Sequence, residues 1–146
     1  MSVRIYDELL GKVIIKIELV RDNTKTDDLI RFYLSNGEIY DQYHENDCCE
    51  CVRIEDINGD LNDLRFDPLL QAEETTQNDP DASESGTWTF YKFATKNGYV
   101  TIRWYGSSNG YYSETSSINK SDDSISIKEL RDYKLCKIEE IKKESN

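Results

Sequence analysis

The chain has 146 residues and 17.0 kDa, with 29 acidic against 18 basic side chains, a formal charge of −11 and a pI near 4.5. That length fits one domain with a real core, and the charge opposes association with a phosphate backbone, so no nucleic acid partner is expected. Its apolar runs are too short to cross a bilayer and "MSVRIYDELLGK" lacks the apolar stretch of a signal peptide, so no membrane contact and a cytoplasmic location are expected.

In chain order, "GKVIIKIELV" sets Val13, Ile15, Ile17 and Leu19 against Lys16 and Glu18, a period-two pattern that predicts a strand. "LIRFYLSNGEIYDQYH" reads as two strands around Asn36-Gly37, a dipeptide that tolerates the positive φ angles of a hairpin turn. Next come a strand near Cys51 to Ile54, a short helical turn near Leu61 to Leu64 and a strand from Leu69 to Glu73. "TTQNDPDASESG", Thr75 to Gly86, is poor in apolar residues and predicts a mobile surface loop. "TWTFYKFATKNGYVTIRWY" is a second hairpin, turning at Asn97-Gly98. From Ser116 the chain reads as a linker and then a charged tail, where Leu130, Tyr133, Ile138 and Ile141 outline a ragged helical stripe, although "SISIKEL" alternates like a strand. The expectation is a β-rich α+β single domain built on antiparallel hairpins, with one or two short helices and a helical C-terminal tail. Its boundaries are residues 1–117 for the domain and 118–146 for the charged extension.

Three constellations bear on chemistry. In "HENDCCEC", the spacing of His44, Cys48 and Cys51 suits a loop bent round one zinc ion. However, no second cysteine pair follows, and adjacent cysteines in an extended segment point to opposite sides. Buried, reduced thiols are the simpler expectation, and no metal or other cofactor is assigned. In "DINGDLND", Asp56, Asn58, Asp60 and Asn62 alternate like the first half of a calcium loop, but Leu61 and Asp67 stand where glycine and glutamate belong. A polar turn at Asn58-Gly59 is favoured.

The third constellation follows from register. A two-residue turn at Asn97-Gly98 pairs Lys92 with Arg103 and Tyr91 with Trp104. Tyr91, Phe93, Val100, Ile102 and Trp104 then face the core. Phe90, Lys92, Lys96, Tyr99, Arg103 and Tyr105 face outward. Two cations opposed across a strand pair call for a bound anion or a neighbouring acid such as Glu114. With Tyr111, Tyr112 and Asn109 in the following "GSSNG" loop, Lys92, Arg103, Tyr99 and Tyr105 form the expected ligand-binding set, able to hold a phosphate and stack a base.

The segments "LLGKVII", "YHENDCCECVRIEDINGDLNDL", "LLQAEE", "TWTFYKFAT" and "GYVTIRWYGSSNGYYSE" resemble a domain family of unknown function carried by tailed bacteriophages and some bacteria. The resemblance runs from about Leu9 to Glu114 and implies a phage or prophage origin. It carries over no catalytic residues. Together with the lack of a catalytic framework, it leads to the expectation of a non-catalytic phage accessory protein that counteracts a host defence system. The expected partner is a nucleotide-like signalling molecule, sequestered at the Lys92 and Arg103 face. Two alternatives are an acidic inhibitor that binds a host defence protein, and a metal- or thiol-dependent enzyme using His44 to Cys51. Exposed strand edges are compatible with a homo-oligomer.

Overall fold

The computed structural model describes residues 3–23, 27–46 and 49–124, together with Lys128, Leu130 and Arg131. Strands alternate along almost the whole of this length: β1 (Val3–Ile5), β2 (Ile14–Asn23), β3 (Asp27–Leu34), β4 (Glu38–Tyr43), β5 (Cys51–Asn58), β6 (Gln71–Asn78), β7 (Ser85–Thr95), β8 (Gly98–Ser108) and β9 (Ser117–Ser124). They form two antiparallel sheets, one ordered β1-β6-β7-β8-β5 and the other β2-β3-β4-β9.

Period-two alternation builds the core between them. The five-stranded sheet contributes Val52, Ile54, Ala72, Tyr91, Phe93, Val100, Ile102 and Trp104, and the four-stranded sheet contributes Ile14, Ile30, Phe32, Leu34, Tyr40 and Ile118. The rings of Phe32 and Phe93 meet across the sheets with centroids 5.6 Å apart. Tyr6 and Leu9, from the β1–β2 connection, are fully buried in the same cluster beside Leu64 and Leu69. A bulge in β5 leaves Glu55 without a partner on β8 and twists the strand. Beside it, the backbone N–H of Ile54 donates to the buried carboxylate of Asp28, 2.8 Å away, which ties β5 to β3.

The α component of the expected fold is corrected. Among the described residues, helical structure is confined to the four-residue 3₁₀ turn Leu61–Leu64 and to Lys128, Leu130 and Arg131. The rest of the tail expected to be helical, with Tyr133, Ile138 and Ile141, lies outside the described residues. The architecture is therefore all-β. The expected linker after Ser116 is strand β9, paired with β4. Likewise Thr75–Asn78 and Ser85–Gly86, read as loop, extend β6 and β7. Backbone pairing forms these segments, and their few apolar side chains left no periodicity to read.

Candidate functional site

The β7–β8 hairpin closes on Thr95 and Gly98, leaving Lys96 and Asn97 at its tip. A type I′ turn centred on Asn97-Gly98 needs a positive φ at Asn97. Among the described residues the only non-glycine with positive φ is Phe66. Contacts from the 3₁₀ region set the turn instead: Thr95 Oγ1 donates to the Asp63 carbonyl, and Asp67 accepts from the Asn97 side chain and lies 3.4 Å from Lys96 Nζ.

Register therefore shifts by two residues. Phe90, not Lys92, lies opposite Arg103, and Lys92 lies opposite Thr101. A two-residue shift preserves the faces. Tyr91, Phe93, Val100, Ile102 and Trp104 are all fully buried, as expected. What changes is the chemistry of the outer face. Across its middle run Val3, Thr75, Phe90, Arg103 and Asp56; one row on lie Ile5, Glu73, Lys92 and Thr101; on the other side lie Gln77, Trp88, Tyr105 and Arg53.

Arg103 is answered within the protein. Its Nη2 is 2.8 Å from Asp56 Oδ2, and its guanidinium sits 4.7 Å over the Trp88 ring. The bulge at Glu55 is what brings Asp56 opposite Arg103. The other side of Trp88's surroundings is Tyr105, with ring centroids 4.4 Å apart. Tyr105 Oη donates to Asp79 Oδ2 at 2.7 Å, and that carboxylate holds the phenol above its ordinary value. Gly86 makes room for this ring, because a Cβ there would lie 2.4 Å from Tyr105 Oη.

Glu114, offered as a neutralising acid, belongs to the inner side. Burial pushes its carboxyl up, but hydroxyls from Ser108, Thr87 and Ser85 outweigh that and leave it below the ordinary value of 4.5. Its backbone crosses directly over β8 at Gly106, where a Cβ would stand 1.9 Å from the Glu114 carbonyl oxygen.

The remaining expected ligand residues separate. Tyr99 is exposed at the hairpin tip, six residues and about 20 Å along β8 from Tyr105. Tyr111 is exposed, Tyr112 half-buried, and Asn109 exposed at the opposite end of the sheet from Tyr99. There Tyr105 and Asn109 line an open groove of about 470 Å³, with Ser107 and Ser108 on one wall, Ala82 to Ser85 on the other and Cys49 beside them. Sequence reasoning considered Asp56 only as a calcium-loop oxygen and missed it as the partner of Arg103, and it missed Asp79 and the Ala82 to Ser85 wall. Trp88 alone was readable, since its parity matches Phe90.

His44 is buried, with Nδ1 3.0 Å from the Thr115 carbonyl and Nε2 3.8 Å from Glu50 Oε2. Cys51 is free and exposed on β5, whereas Cys48 lies outside the described residues. Cys49 is disulfide-bonded. That corrects the expectation of reduced thiols throughout, because pairing depends on which sulfurs the fold brings within bonding distance, not on spacing in sequence. Among the described residues no group of three or more His, Cys, Asp or Glu side chains is placed to hold a metal ion. In the "DINGDLND" segment Asp60 caps the 3₁₀ turn, accepting from the Asn62 N–H at 2.9 Å. Among the described residues no helix is long and apolar enough to cross a membrane.

These features define a two-sheet antiparallel β protein whose five-stranded sheet presents an aromatic outer face and, at one end, a hydroxyl-lined groove. The chain belongs to the family described as domain of unknown function DUF7448, whose model matches residues 7–118. No curated protein and no solved structure matches it.

Proposed function

We propose that the protein is a non-catalytic phage accessory protein that counteracts a host defence component by docking onto it through the outer face of the five-stranded sheet. The observation that carries this reading is the strip of Trp88, Phe90, Tyr105 and Arg103, continued to the sheet edge by exposed Val3 and Ile5. No described element covers it. Aromatic residues and arginine concentrate binding energy in protein interfaces. Asp60 and Asp63 lie toward one end of this face and Asp79, Asp81 and Glu84 toward the other, so the partner surface it fits is basic. The phage assignment rests on the resemblance of the quoted motifs.

Nucleotide sequestration is the less supported version. Its premise was Lys92 facing Arg103, and here Asp56 answers Arg103 while Lys92 lies opposite Glu73 on β6. The test is a photo-crosslinking residue at Phe90, compared with one at Leu29 on the other sheet, in host cells. A basic protein crosslinked from position 90 alone, and released by raised salt, is expected. Equal crosslinking from both positions, or an acidic partner, would sink the reading.

A further inference from the structure

We propose that the groove between the Ala82 to Ser85 loop and the end of β8 is a binding site for an uncharged sugar ring carrying vicinal hydroxyls. The site adjoins the partner-docking face and shares Tyr105 with it, but does not depend on that face binding a partner. Its volume, about 470 Å³, lies within the size range of small-ligand sites.

The lining divides into groups already committed and groups left available. Ser108 Oγ donates to Glu114 and accepts from the Gly110 N–H, 2.9 Å away. Asn109 Oδ1 accepts from the Tyr111 N–H at 3.1 Å, and Tyr105 Oη is held by Asp79. These bonds fix the walls before any ligand arrives, which lowers the ordering cost of binding. By contrast, the hydroxyls of Ser83 and Ser107 and the Asn109 amide NH₂ make no hydrogen bond with another described residue. Two of these groups both donate and accept, and the third donates. Vicinal hydroxyls, which also do both, are their complement.

Charge narrows the class. Among the described residues Glu84 is the charged one that lines the groove, and no described lysine or arginine does. Asp79 and Glu114 stand just behind the walls. A phosphate would enter this environment against three carboxylates, so an uncharged ligand is selected. The Tyr105 ring adds a rigid apolar surface, since Trp88 backs it and Asp79 pins its hydroxyl. Such a surface suits the C–H face of a sugar, whether from an oligosaccharide or from a nucleoside.

The experiment is amide NMR titration of the full chain with millimolar maltose, cellobiose, adenosine and uridine, alongside glucose 6-phosphate and AMP. Shifts at Ser83 to Ser85 and Ser107 to Asn109 are expected from at least one neutral probe. The matching phosphorylated probe should bind about tenfold more weakly or worse. Shifts from the disaccharides assign a glycan, and shifts from the nucleosides alone assign a ribose. Ser107→Phe and Ser83→Trp, which fill the groove from opposite walls, should each abolish the shifts. Ser83 is exposed, so its variant folds even if the Ser107 variant does not. No shift from any neutral probe, tighter binding of a phosphorylated one, or shifts that survive Ser83→Trp would overturn the proposal.

Discussion

Among the described residues, each sheet carries one arginine–aspartate pair directly across two strands of its outer face, and the two pairs differ in what surrounds them. Arg31 on β3 makes a bidentate contact with Asp41 on β4, at 2.7 and 3.0 Å, and their side chains are 27% and 11% exposed. Arg103 on β8 meets Asp56 on β5 through one 2.8 Å contact, at 39% and 44% exposure. Around Arg31 the face is closed by its own chemistry. Asp123 lies 3.6 Å away, Tyr33 Oη donates to Glu18, and Lys16 sits between Glu18 and the Tyr33 ring. Leu130 packs on Ile15, Tyr33 and Ile39 of the same face. Around Arg103 there are rings and no covering element among the described residues. The same residue pair is structural on one sheet and an available surface on the other, and burial decides which.

The most damaging way to break the contrast is to displace the end of the five-stranded sheet that carries the groove. Gly106→Ala puts a Cβ into the Glu114 backbone, which cannot rotate aside as a side chain does. A loss of about 3 kcal/mol in urea unfolding is expected, with the groove disturbed and the closed face unaltered. Next comes Arg31→Leu. Removing one partner of a fully buried pair costs about 3–5 kcal/mol, and the partial exposure here brings the expected loss to about 2 kcal/mol by the same measurement. Arg103→Leu should cost no more than about 1 kcal/mol, because Asp56 stays hydrated. Double-mutant cycles on the two pairs sharpen this into one comparison, with the larger coupling energy on the four-stranded sheet. Equal couplings would mean that burial does not separate the two faces.

How far the sequence revealed this can be followed residue by residue. Alternation assigned the five core residues of the β7–β8 hairpin to the correct face, because a register error of two residues leaves parity unchanged. The identity of facing pairs was not legible. It depends on Asp63 and Asp67, which hold the hairpin tip from a remote segment that no local turn rule includes. Asp56 was hidden for a related reason: the bulge at Glu55 changes which residue of β5 lies opposite Arg103. The 3₁₀ turn at Leu61–Leu64 was readable from its own residues, since Asp60 caps it locally. β9 was not, because "SINKSDDS" offers a single apolar side chain, Ile118, and its pairing to β4 is made by backbone groups common to every sequence. The groove brings together Cys49, the Ala82 to Ser85 loop and the end of β8, three segments related only by the fold.

The smallest effect concerns pH and tests whether the closed face is held by charge. Glu18 titrates below its ordinary value of 4.5, first because of its bond to Lys16 and then because of the Tyr33 hydroxyl, with burial opposing weakly. A carboxyl depressed in the folded state stabilises the protein above its unfolded value, and that contribution disappears as pH falls through the folded one. Glu18→Gln removes the linkage, so wild type should exceed the variant by a few tenths of a kcal/mol at neutral pH. The difference should hold down to about pH 5 and vanish well below 4.5. Thermal unfolding of both proteins across that range measures it. A difference that persists unchanged at low pH would show that Glu18 acts through packing against Tyr33, leaving Ile15, Tyr33, Ile39 and Leu130 to close the face without its charge.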